Sequence, residues 1–303
     1  MEKTMEPLQF HDVERFFQQY FPEDVATKLT ETSKLGGVFF GDEHVAIFAE
    51  LCGLSTDHPI VQKLRIPYII FGKHYFMLDA VVDDHSSSSD VLYVTHILFA
   101  TFYQIVSELM TSTTPEKAMA CAQIMAKRIA ENTMAVENEL IFRATPDPIG
   151  KAEEYAMMVG RSNCTILFYE IMCFLNNMEP HPEIVEVLFD VVHYMQMGDD
   201  VGDWTDDFEN NIWTPLLKEC AKHLESTENV SRQDIECALF TTGVYENHLR
   251  NIILGMNGIE ERLKQIPEVK STGVVAWIDK KRKFAHQLLR EAIGTKLTYL
   301  SNG

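Results

Sequence analysis

Two short stretches of the chain concentrate carboxylates at helical spacing. The first is Asp79-Ala80-Val81-Val82-Asp83-Asp84-His85. The second is Gln196-Met197-Gly198-Asp199-Asp200-Val201-Gly202-Asp203-Trp204-Thr205-Asp206-Asp207. Four-residue spacing puts Asp79 and Asp83 on one helix face, and it strings Asp199, Asp203 and Asp207 along one stripe. Stacked carboxylates repel one another, and near a helix C-terminus they also meet the unfavourable end of the macrodipole. No Lys or Arg occurs between Arg161 and Lys218, so no cation close in sequence offsets the second stripe. Hard divalent cations with oxygen ligands would do so, and Mg²⁺ is the natural choice. A solvated acidic face is the ordinary alternative, but such faces interleave Lys, and this one does not. The first segment, taken alone, reads equally well as a solvated helix end.

The charge balance points the same way. A formal net charge of −19 argues against nucleic acid, whose phosphates need a basic face. Anionic substrates are compatible with so acidic a chain only if cations stand between them and the carboxylates, because a bound metal inverts the local charge.

These stripes require long helices to carry them, and the rest of the chain supplies the pattern. Over 303 residues, 46% are hydrophobic, with only 15 Gly and 11 Pro to punctuate strands or hairpins. Apolar residues recur at helical spacing over 8–21, 23–34, 43–54, 58–84, 91–111, 115–142, 150–177, 183–209, 213–226, 231–265 and 273–298. Asp90 is the expected N-cap of the helix at 91–111, and Pro115 opens the next. Val, Ile and Thr do not cluster at period two, so no strand is expected. The expectation is an all-α, single-domain helical bundle over residues 1–303, closed around a central active-site cavity. The apolar run Val91 to Ser107 is interrupted by Thr95, His96, Thr101 and Gln104 and reads as a buried core helix, so no membrane span is expected. The charged N-terminus lacks the apolar region of a signal peptide. Six scattered Cys without a CxxC pair fit a reducing cytoplasm.

At its two acidic segments the chain resembles the class I isoprenoid synthases. That family carries two acidic motifs on facing helices of an all-α bundle, where they bind three Mg²⁺ ions on a substrate diphosphate, with Mn²⁺ as a substitute. Met195 through Asp203 is similar to the FQxxDDxxD motif of prenyl diphosphate synthases. Asp199, Asp203 and Asp207 also fall at the spacing of the terpene synthase triad. Asp203 through Asp207 followed by Asn211-Ile212-Trp213-Thr214-Pro215 resembles squalene and phytoene synthases. The first segment departs from DDxxD: its pair is Asp79 and Asp83, with Asp84 as the alternative, and Asp83-Asp84-His85 is similar to the opening of microbial terpene synthase motifs.

The resemblance implies metal ligation by Asp79, Asp83, Asp84, Asp199, Asp203 and Asp207. Asp83, Arg161 and Asp203 are the residues expected to be essential. Arg161, in Gly160-Arg161-Ser162-Asn163, resembles in position the diphosphate-sensing Arg of the family, although an Arg reaching outward along its stem is the ordinary alternative. Lys281 and Arg282, within Lys280-Lys281-Arg282-Lys283, are the further diphosphate candidates, and Lys296 to Tyr299 is only a faint echo of the usual terminal clamp. Aromatic wall candidates for a carbocation are Phe71, Tyr75, Phe76, Phe102, Phe168, Tyr194 and Trp277, each also explained by plain core packing.

Within the family, chain elongation needs a second anion site for isopentenyl diphosphate. Here Gly36-Gly37 is followed by Val38-Phe39-Phe40-Gly41-Asp42-Glu43, and Asp84 by His85-Ser86-Ser87-Ser88-Ser89-Asp90, with no Lys or Arg in either place. The expectation is therefore a terpene synthase acting on a C15 or C20 prenyl diphosphate, with a prenyltransferase or head-to-head synthase as the alternative. Relatives are often homodimers, though no heptad seam is visible. Non-enzymatic metal binding lacks an EF-hand loop, and a di-iron bundle lacks paired Glu-x-x-His motifs.

Overall fold

The computed structural model describes residues 8–35, 42–84, 89–266 and 272–302, and at 10, 32–35, 79–84, 89–90, 272 and 302 it describes the backbone alone. Within the described residues the secondary structure is helical throughout: α1 (Phe10–Tyr20), α2 (Glu23–Leu35), α3 (Glu43–Leu51), α4 (Pro59–Asp84), α5 (Ser89–Met110), α6 (Pro115–Arg143), α7 (Lys151–Leu175), α8 (Pro182–Glu209), α9 (Pro215–Ala221), α10 (Arg232–Thr241), α11 (Val244–Lys264) and α12 (Thr272–Asn302). Several helix ends shift by a few residues from the sequence pattern, and three differences stand out. The stretch 231–265 is two helices, because Gly243 between them sits at φ +83, a left-handed conformation open to glycine. Asp90 lies inside α5, which begins one residue earlier, so it is not the cap. The periodic segment 213–226 contracts to the seven residues of α9.

Two compact units divide the chain: Met1–Met125 with Leu167–Pro180, and Ala126–Ile166 with His181–Gly303. In the first unit α4 packs along α5. Four rings close its core: Phe71 lies 4.2 Å from Phe102 and 5.4 Å from Phe168, and Tyr68 meets Phe168 edge-on at 4.8 Å. All four are buried. Asp42, fully buried, accepts from the Leu8 amide and pairs with Arg65, which anchors the start of α3. By length and composition, one helix among the described residues, over Val91–Met110, could cross a membrane. It is amphipathic, burying Val94, Leu98, Phe102 and Val106 in the unit's core while Leu92 and Tyr93 stay exposed, so the expected buried helix is buried on one face only.

In the second unit α8 lies against α11, and α11 against α12. The close approach of α8 to α11 uses Gly255: a Cβ there would fall 1.9 Å from the Tyr194 ring. A second close approach joins α6 to α7, where a Cβ on Gly160 would lie 2.4 Å from the Ala135 Cβ. Asn132, buried on α6, donates to the carbonyls of Gly160 (3.2 Å) and Arg161 (2.5 Å). This contact sets the turn of α7 that carries Arg161. The second acidic segment ends in a Schellman motif: Asn211, at φ +59, donates to Phe208 O, and Ile212 donates to Asp207 O. The chain then turns back, and the Trp213 amide donates to the Arg143 carbonyl at 2.9 Å.

Candidate active site

The second acidic segment occupies the last turns of α8. Asp199 and Asp203 are exposed, Asp207 is half-buried, and Asp200 points the other way and is buried. Helical periodicity forces this division, since Asp200 is rotated by one residue from the stripe. One carboxylate oxygen of Asp200, Oδ2, is buried without a hydrogen-bond partner.

The charges that balance the stripe come from other helices. Arg143 ends α6, Arg161 lies mid-way along α7, and Lys281 lies on α12. Burial pushes the Asp199 carboxyl above its usual range even though the residue keeps an exposed edge. Asp203 adds to the rise, while Lys281 and Arg161 pull it back. Asp207 is raised to about 6, first by burial and then by Asp203, against the opposing pull of Arg143 and Arg161. Asp200 is held well above its ordinary value, chiefly by burial, with Arg143 and Arg161 opposing. The absence of Lys and Arg between 161 and 218 is thus offset in space. Cations distant in sequence relieve part of the repulsion that, by sequence, called for a metal.

Arg161 does not reach outward to solvent. Its Nε lies 2.6 Å from Glu139 Oε2, and its Nη1 donates to Gln196 Oε1 at 3.1 Å. Gln196 in turn donates to Ser162 Oγ at 3.1 Å. Gln196 is the residue just upstream on the stripe's own face, so α7 and α8 are joined at the site by side-chain hydrogen bonds. The neighbouring Arg282 is engaged elsewhere, with Asn257 Oδ1 at 2.8 Å, Glu260 Oε2 at 2.7 Å and Asp279 Oδ1 at 2.8 Å. The bonds to Asn257 and Glu260 tie α12 to α11, and the one to Asp279 stays within α12. Of the two diphosphate candidates on α12, Lys281 acts on the stripe and Arg282 serves as a helix clamp. Asp79, Asp83 and Asp84 lie in the last turns of α4, and their side chains fall outside the described residues, as does His85.

Among the aromatic wall candidates, Phe71, Phe102 and Phe168 pack on one another, Tyr75 meets Phe71 edge-on at 4.9 Å, and Tyr194 fills the slot over Gly255. Phe76 is exposed and Trp277 half-buried. The residues that the sequence pattern missed are Glu139 and Arg143. Their only local signal is an i, i+4 acid–base pair at the end of a long helix, which is common on solvated surfaces.

Carboxylate oxygens along the stripe are donors of the class that hard divalent cations take. Among the described residues, no group of three or more His, Cys, Asp or Glu converges closely enough to hold an ion by protein ligands alone. Mg²⁺ does not require such a cage, because it is commonly held by one or two carboxylates, with substrate phosphate oxygens and water completing the shell. Hard oxygen donors spaced along one accessible stripe suit an ion shared with a phosphate substrate and do not suit a closed structural site.

No protein-family model matches the chain, and no curated protein sequence matches it. Solved structures do. A geranylgeranyl pyrophosphate synthetase from the archaeon Geoglobus acetivorans superposes with a TM-score of 0.68 at 16% identity, over 92% of this chain and 97% of that one. A second geranylgeranyl pyrophosphate synthase superposes with a TM-score of 0.64 at 12% identity, over 93% of this chain and 98% of that one. At such identities the likeness concerns the fold alone: the chain has the all-helical isoprenoid synthase fold.

Proposed function

We propose that this protein is a metal-dependent enzyme that ionises an allylic prenyl diphosphate. The observation that carries the proposal is the stripe Asp199, Asp203 and Asp207 on an isoprenoid synthase fold, flanked by Arg143, Arg161 and Lys281 from three other helices. Carboxylates alone would repel a diphosphate, and cations alone would need no acidic stripe. Their juxtaposition suits a metal–diphosphate complex.

Asp199, Asp203 and Asp207 would hold Mg²⁺, and Asp79, Asp83 and Asp84 are the further ligands implied by the resemblance. When bound, Mg²⁺ supplies electrophilic charge to the diphosphate oxygens. The protein's own part is to place fixed positive charge where negative charge develops as the carbon–oxygen bond breaks. Arg161 is pre-oriented for this by Glu139 and Gln196, and Lys281 supplies a point charge from α12. Residues 1–303 are proposed to act as one functional domain, and the near-complete coverage of both chains in each comparison supports this.

Two fates of the allylic cation follow, each with its own support. Prenyl transfer to a second diphosphate is supported by the names of both solved structures, and we take it as the first reading. Conversion to a terpene is supported by the absence of Lys and Arg at 38–43 and 85–90, where a second anion site would need them. The deciding experiment incubates purified protein and Mg²⁺ with C10, C15, C20 and C25 prenyl diphosphates, with and without isopentenyl diphosphate. Organic extracts and dephosphorylated aqueous products go to gas chromatography–mass spectrometry. Longer diphosphates formed only with isopentenyl diphosphate establish prenyl transfer, and a hydrocarbon or alcohol from one allylic substrate establishes a terpene synthase. No consumption of any of these substrates, or turnover that survives EDTA, overturns the proposed function.

A further inference from the structure

Glu139 is a side chain on which two cations of the second unit, Arg143 and Arg161, converge. Its Oε1 lies 2.7 Å from Arg143 Nε and its Oε2 lies 2.6 Å from Arg161 Nε, so a single carboxylate is spanned by two guanidinium groups. The three side chains differ in access. Glu139 is 7% exposed, whereas Arg143 and Arg161 keep 17% and 19% of their side-chain surface open. The acid is therefore shut away from any ligand, and both cations present an edge to solvent. One carboxylate against two guanidiniums leaves an excess positive charge, and it lies near the stripe on which both arginines act.

Each arginine is also anchored by its backbone. The Arg143 carbonyl accepts from the Trp213 amide, and the Arg161 carbonyl accepts from Asn132. Arg143 meets Glu139 through Nε, and Arg161 is held through Nε by Glu139 and through Nη1 by Gln196, so each guanidinium keeps a terminal nitrogen that these contacts do not use. A diphosphate is a large anion with oxygens on two phosphorus centres, and a guanidinium fork matches a phosphate's paired oxygens.

We infer that Arg143 and Arg161 form a paired-guanidinium subsite for the diphosphate group, and that Glu139 is the positioning residue that sets both forks. The inference rests on the proposed function, since it adds Arg143 and Glu139 to the same diphosphate site. Arg143 contacts the leaving group directly, and Glu139 acts only through the two arginines.

Isothermal calorimetry with inorganic diphosphate and Mg²⁺ tests this on the full chain, with thermal unfolding measured alongside. Arg143→Gln should weaken diphosphate binding at least tenfold. Arg143→Lys, which keeps the charge and loses the fork, should weaken it less and serves if the first variant does not fold. Glu139→Gln should also weaken binding, and the double variant Glu139→Gln/Arg143→Gln should bind more weakly than Arg143→Gln alone, but by a smaller factor than Glu139→Gln costs in the wild-type background, because only the Arg161 fork is left to position. A merely structural role would lower the unfolding temperature of these variants and leave diphosphate affinity within twofold of wild type, which would overturn the inference while the proposed function stands. Wild-type protein that binds no diphosphate in the presence of Mg²⁺ would overturn both.

Discussion

The ring cluster of the first unit and the charge cluster of the second are built on opposite principles. Tyr68, Phe71, Phe102 and Phe168 hold one another through area and shape. The groups are buried and apolar apart from one hydroxyl, which is matched by His44 Nδ1, so their energy follows the volume they fill. Glu139, Arg143, Arg161, Gln196 and the α8 stripe hold one another through direction. Glu139, Arg143, Arg161 and Gln196 meet one another at 2.6–3.1 Å, the stripe feels the two arginines through space, and part of the surface stays open. The first arrangement stabilises, and its identity can drift as long as volume is kept. The second gains little net stability from its ion pairs, because desolvation offsets attraction. Its specificity lies in which groups face outward.

Four tests probe that contrast, from the largest effect to the smallest. Asp203→Ala should abolish turnover while thermal unfolding stays near wild type, since an exposed carboxylate is lost from a repulsive stripe. Full activity in that variant would remove the stripe from the chemistry. Phe102→Ala should cost about 3–5 kcal/mol in urea unfolding, as expected for emptying a packed aromatic site. A loss below about 1 kcal/mol would mean that the ring cluster is not a tightly packed core.

The third test uses pH. His248 on α11 has its pKa lowered to about 4, first by burial, with its bond to the Met197 carbonyl opposing. The folded protein thus keeps this imidazole neutral, whereas the unfolded chain protonates it below its ordinary value of 6.5. Its stabilising contribution is complete above that value and is lost as pH falls toward about 4. His248→Gln should lose less stability than wild type between those pH values, as read from urea midpoints; equal slopes would show that His248 titrates alike in both states. The smallest effect is expected for Arg282→Ala. Breaking its partly exposed pairs with Glu260 and Asp279 should cost about 1 kcal/mol or less and leave diphosphate affinity unchanged. A tenfold loss of affinity would return Arg282 to the diphosphate site.

Much of the fold was legible in the pattern of residues. Ten of the eleven periodic segments became single helices, because apolar spacing and Pro or Asn punctuation act within a few residues of themselves. The break at Gly243 was missed because a lone glycine in a helical pattern is usually tolerated, and only the observed φ shows that the chain turns there. The acidic stripe was legible for the same local reason: spacing along one helix decides which carboxylates share a face. Its counter-charges were not. Arg143 precedes Asp199 by two helices in the chain and Lys281 follows it by four, and nothing in local spacing brings either to α8. Nor could sequence separate Lys281, whose charge acts on Asp199, from Arg282, which forms a clamp with Glu260. Periodicity is a property of a single helix and can be read from its residues. Which cation meets which carboxylate depends on how helices pack, and that is settled by contacts such as Gly255 under Tyr194 and Asn132 against α7, which only the folded chain contains.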